Sequence, residues 1–112
     1  MKNALPAALV FALAGGFSSI SNAVTVKGME NCSAWVKSHA GRSSPSMNMV
    51  AQNAWLNGYL SGVAVARNID FLKGVDANTI QTWMHTYCTN HPSDLIGYAA
   101  DALSVELVKR MH

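Results

Sequence analysis

Two cysteines, Cys32 and Cys88, stand more than fifty residues apart in a chain of 112, and their placement constrains the fold more than any other feature. Cys88 closes the stretch Trp83-Met84-His85-Thr86-Tyr87-Cys88. Taken with Ile80, the residues Trp83, Met84, Tyr87 and Cys88 follow the i, i+3, i+4, i+7, i+8 spacing of one helix face. Asp76 precedes them as an N-cap, because its carboxylate can accept from the unpaired N–H of Asn78 or Thr79. Asn90 and Pro92 close this helix and open the next, since a proline disfavours helical geometry in the residue before it. The spacing therefore predicts a helix with two aromatics and a cysteine on its inner face, to which the fold must bring Cys32.

Residues 1–23 read as a removable export signal rather than as part of the fold. Lys2 supplies a short basic start, Ala4 to Phe17 is almost wholly apolar, and Ser21-Asn22-Ala23 offers small residues for cleavage after Ala23. The apolar run falls short of the roughly 20 residues a membrane-spanning helix needs. Val24 to His112 then remains as one domain of about 89 residues. A domain of that size buries only roughly 60 % of its unfolded surface, so a covalent staple matters. An even cysteine count in an exported chain points to a Cys32–Cys88 disulfide. Closing so long a loop contributes on the order of 4 kcal/mol by the chain-entropy argument.

Charge excludes more than it suggests. Beyond the signal, seven Lys/Arg face six Asp/Glu, scattered along the chain. No basic run exists to release counterions from nucleic acid, and no basic amphipathic stripe exists to lie on a membrane.

In chain order, Val24 to Glu30 reads as an extended lead-in. Asn31 caps a short helix through Cys32, Trp35 and Val36 that ends near Gly41, and Cys32 and Trp35 at i, i+3 place the indole near the disulfide. A loop follows over Arg42 to Ser46. Met47 to Arg67 forms a long helix whose expected inward stripe is Trp55, Gly58, Tyr59, Gly62, Val63 and Ala66. Its two glycines cost about 1 kcal/mol each relative to alanine, which predicts a close helix approach in the groove they make. The approaching helix would belong to this chain or, in a homodimer, to a second copy. Gln52, Asn53, Asn57 and Ser61 mark the opposite face as polar. The connection Arg67 to Asp76 mixes Asp70 and Lys73 with Ile69, Phe71 and Leu72. Either its apolar residues tuck under the bundle or they form a recognition surface. The last helix spans Pro92 to Arg110 with Leu95, Ile96, Ala99, Ala100, Leu103 and Leu107 inward; Asp94 suits its start and Lys109 and Arg110 its end. The expected fold is an all-α, four-helix-bundle-like domain with one disulfide and no strands.

No catalytic constellation is legible, and the chain reads as a non-enzyme without cofactor or metal. His39, His85, His91 and His112 form no i, i+4 pair and no metal-ligand spacing with cysteine. No Gly-x-Ser-x-Gly, cysteine–histidine or phosphate-loop signature occurs. His85 falls away from the Trp83–Cys88 face and reads as a solvated helix residue.

The pattern Cys32-x-x-Trp35, Trp55-x-x-Gly58-Tyr59-x-Ser61-Gly62, Trp83-x-x-x-Tyr87-Cys88-x-x-x-Pro92-x-x-Leu95-x-x-x-Ala99 and Leu103-x-x-Glu106-Leu107 resembles the Rap1a/Tai family of immunity proteins. The pattern covers nearly all of Val24–His112. The resemblance implies a small helical protein of the periplasm of a Gram-negative bacterium. It also implies a partner, a secreted peptidoglycan-cleaving amidase effector of a type VI secretion system, whose cleft the protein covers. The matching residues are scaffold, so specificity is expected in the loops Arg42–Ser46 and Arg67–Asp76. The residues expected to grip the partner are Arg67, Asp70, Phe71 and Lys73, on charge and the presence of an apolar anchor.

Two other functions fit such a bundle. An acid-stress chaperone of the HdeA type would need many carboxylates to titrate, and this chain has six Asp and Glu in all. A structural or accessory component of an envelope secretion or conjugation apparatus would use the same bundle for a different partner, since fold does not fix function.

Overall fold

The computed structural model describes residues 24–40 and 44–112. The expected export signal lies outside the described residues, as do Gly41 and Arg42. Four helices follow one another: α1 (Cys32–His39), α2 (Met47–Arg67), α3 (Ala77–Asn90) and α4 (Ile96–Arg110). Among the described residues there is no strand, only an isolated antiparallel bridge between Asn31 and Leu95. The domain is all-α, as the sequence predicts.

Local chemistry sets the helix starts. Asn31 Oδ1 accepts from the Ala34 N–H at 2.9 Å, Ser46 Oγ from Met49 and Asp76 Oδ1 from Thr79, so one orphan donor in each of these three starts finds a side-chain oxygen. The Asp76 carboxyl is held below its usual range, first by the backbone N–H of Thr79. Asn68 ends α2 in the left-handed conformation, φ 54°, a place asparagine tolerates, and its N–H returns to the last turn.

α1 packs on the other three helices, and α4 packs on both α2 and α3. Cys32 and Cys88 are bonded across α1 and α3, with Cα atoms 4.7 Å apart. Trp35, Leu56, Leu60, Met84, Ile96 and Leu103 are fully buried around them. Trp35 thus shares the core with the disulfide, and its ring stacks on His39 at 3.9 Å.

The long helix is turned from its expected orientation. Gln52, Leu56 and Leu60 face the core, roughly one residue's step of 100° away from the Trp55–Tyr59–Gly62 stripe. Gln52, expected on the polar face, is 5 % exposed and donates to Glu30 Oε2 at 3.0 Å. Trp55, Tyr59 and Val63 sit half-buried at the border. A Cβ added to Gly58 or Gly62 would meet no described residue within 4 Å, so no described helix approaches the expected glycine groove. Aromatic size suggested the wrong side. Trp55 instead donates Nε1–H to the Lys27 carbonyl at 2.8 Å, and the chain turns beneath it at Gly28, φ 76°.

The last helix also differs, starting at Ile96 rather than Pro92. The turn that precedes it serves α1. The Cys32 N–H donates to Asp94 O at 2.7 Å and the Ser33 N–H to Pro92 O at 3.0 Å, filling donors that a helix start leaves unpaired. The Ile96 N–H reaches back to Glu30 O at 2.8 Å. Leu95, expected inward, becomes the partly exposed cap residue. Asp94, expected at the start of this helix, stands just before the Leu95 cap, and its Oδ2 accepts the Tyr87 hydroxyl at 2.7 Å.

Candidate functional site

The segment Arg67–Asp76 closes one end of the bundle and has a mixed composition for a physical reason. The Asn68 cap turns the chain out of α2, and the Lys73 N–H returns to Asp70 O and the Val75 N–H to Leu72 O. Gly74, at φ 75°, takes a conformation that L side chains rarely adopt. These turns send the apolar side chains inward and the charged ones outward. Ile69, Leu72 and Val75 pack against the core and Phe71 enters it at 2 % exposure. Arg67, Asp70 and Lys73 remain exposed.

Of the four residues expected to grip a partner, Phe71 is therefore a core residue and not an exposed anchor. Burial of a ring in the cap of a small bundle outweighs any use on the surface. The tucked arrangement, one of the two weighed for this connection, is the one adopted. None of the Arg67, Asp70 and Lys73 side chains makes an ion pair or hydrogen bond to a described residue. Asp70 borders a shallow cleft with Ala64, Val65 and Asn68, whereas Lys73 lies on the side facing Arg110 and Met111. The buried Phe71 and the two backbone turns hold the three charges on a fixed frame, which suits recognition of a complementary protein surface.

The matching aromatics act within the scaffold. Tyr59 donates its hydroxyl to Asp101 Oδ1 at 2.8 Å, across α2 and α4, and burial above all pushes its pKa up to about 12, with the Asp101 bond and charge adding to it. Tyr87 is raised as well, chiefly by its bond to Asp94. Trp83, Tyr87 and His91 stack in succession at 5.3 and 4.2 Å along α3. Among the described residues, no three His, Cys, Asp or Glu side chains gather into a metal-binding group. No described helix is long and apolar enough to cross a membrane.

Two surface features escaped the reading of the sequence. A shallow cleft beside α3 is lined by Asn78, Thr79, Thr82, Trp83, Thr86 and Arg110. Its signal was a helix of 14 residues without one Asp, Glu, Lys or Arg. The outward face of α2 is likewise uncharged, with Met47 and Val65 at 85 % and 81 % exposure near its two ends. Comparison of the chain with protein-family models, with characterised proteins and with solved structures finds no match.

Proposed function

We propose that this protein is a periplasmic immunity protein that binds a peptidoglycan-cleaving amidase effector of a type VI secretion system and covers its cleft. One observation carries the reading: the Cys-Trp, Gly-Tyr-x-Ser-Gly and Trp-Tyr-Cys-Pro pattern resembles the Rap1a/Tai family over nearly the whole exported chain. The bundle supports it in two ways. The pattern's cysteines and aromatics have structural partners, leaving docking to residues outside the pattern. Arg67, Asp70 and Lys73 offer exposed charges of both signs on a fixed loop. Occlusion requires no chemistry from the protein itself.

An accessory role in an envelope secretion or conjugation apparatus is the second reading. It draws on the uncharged outward face of α2, where Gly58 and Gly62 lie open to a helix of a partner or of a second copy. An inhibition titration separates the two. Oxidised Val24–His112 is added to the amidase encoded nearest its gene while cell-wall cleavage is followed. Stoichiometric inhibition supports immunity. Absence of both inhibition and binding removes that reading and leaves the accessory one.

A further inference from the structure

Shallow clefts flank the outward row of Asn78, Thr82 and Thr86 on α3, and another opens beside the loop that precedes this helix. The first, of about 390 Å³, is lined by Asn78, Thr79, Thr82, Trp83, Thr86 and Arg110. The second, of about 250 Å³, shares Asn78, Thr82 and Thr86 and extends to His39 and His85. The third, of about 310 Å³, shares Thr79 and Arg110 and extends to Lys73. The first alone makes a groove with a volume in the range of small-ligand sites, and the third adjoins it at Thr79 and Arg110.

The lining has a consistent chemistry. Exposed helix faces ordinarily carry charged side chains, yet α3 presents hydroxyls, amides and an imidazole beside the body of Trp83. No carboxylate lines any of the three clefts, and two cations, Arg110 and Lys73, stand at one end. Two acids beside it are engaged: Asp76 caps Thr79, and Glu106 accepts from Arg110 Nε at 3.2 Å. That single bond orients the guanidinium and leaves its terminal Nη1 and Nη2 without a described acceptor. A planar, half-exposed fork of this kind matches a carboxylate in two parallel hydrogen bonds.

We propose that this groove binds a short peptide by its free carboxylate, seated on the Arg110 fork, with the peptide chain running along α3 over Trp83 and Thr82. The threonine hydroxyls and the Asn78 amide meet the donors and acceptors of a peptide backbone, and Trp83 supplies an apolar wall. The site needs no amidase and stands apart from the immunity reading.

The test is a titration of the isotope-labelled, oxidised protein, followed by amide chemical shifts. The probes are N-acetyl-Ala-Ala-Ala as the free acid and as its C-terminal amide. The free acid is expected to shift resonances from Asn78 to Thr86 and at Arg110, and to bind at least about tenfold tighter than the amide. Arg110→Gln should bring the free acid to the level of the amide, and Thr82→Trp, which fills the groove, should remove the response along α3. Lys37→Gln, an exposed charge change on α1, should alter neither. Equal binding of acid and amide, indifference to Arg110→Gln, or no response along α3 would each overturn the proposal.

Discussion

The hydroxyl of Tyr59 and the carboxylate of Asp101 meet at 2.8 Å across the α2–α4 contact. The bond joins two helices far apart in sequence, and it shapes how the fold answers to alkali. Burial, then the bond and the charge of Asp101, raise the Tyr59 pKa from 10.0 to about 12. The folded state holds the phenolic proton more tightly than the unfolded chain does. That contribution is full below the unfolded value and is lost as pH rises through the folded one. Stability measured by urea melts should therefore fall between pH 10 and about 12. Tyr59→Phe should flatten much of that slope, the rest belonging to Tyr87, whose pKa is also raised.

Gly58 and Gly62 lie in the interior of α2 with open space where a Cβ would be. Replacing either with alanine should stabilise the monomer by up to about 1 kcal/mol, because helical alanine loses less backbone entropy and creates no clash. Gly28→Ala should do the reverse. Its φ of 76° is strained for alanine, and the new Cβ would stand 3.1 Å from the Trp55 ring. A loss of about 1 kcal/mol or more is expected in the same urea melts.

The loop Arg67–Asp76 separates stability from docking. Phe71→Ala should destabilise the fold by about 3 to 5 kcal/mol, as removal of a buried ring does. Asp70→Arg and Lys73→Glu should leave the melt within about 0.5 kcal/mol of the parent while weakening amidase binding. Calorimetric titration of an amidase with the two charge variants checks the second half. Unchanged affinity in both would take the loop out of the interface.

Reduction of Cys32–Cys88 releases a loop with a sequence separation of 56 residues. The expected loss is on the order of 4 kcal/mol. Urea melts with and without reductant, and of the Cys32→Ala/Cys88→Ala double variant, should agree on its size. A reduced protein as stable as the oxidised one would refute the role given to the bridge.

Much of the fold was legible because its signals are local. Asn31 and Asp76 cap the helices they were expected to cap, with oxygens bonded to Ala34 and Thr79. The long helix runs from Met47 to Arg67 as its pattern predicts, and the two cysteines meet. Of the candidate grip, charge foretold the exposure of Arg67, Asp70 and Lys73, whereas Phe71 was ambiguous because an aromatic can serve as an anchor or as a plug. The α3 groove left one trace in the sequence, a helix without Asp, Glu, Lys or Arg; its walls were not legible, since they come from separate helices and the turns between them.

The sequence by itself determined the helical class, the Asn31 and Asp76 caps and the need for the bridge, because each rests on a side chain and its near neighbours or on a single pair of reactive groups. Only the tertiary structure decided which side of α2 faces inward and where α4 begins. On α2 two adjacent stripes compete, one bulky with Trp55 and Tyr59, the other aliphatic with Leu56 and Leu60. The aromatics carry polar tips that find Lys27 and Asp101 at the border, so the leucines take the core. At α4 the carbonyls of Pro92 and Asp94 satisfy the first N–H groups of α1, and that long-range demand holds the turn open until Ile96.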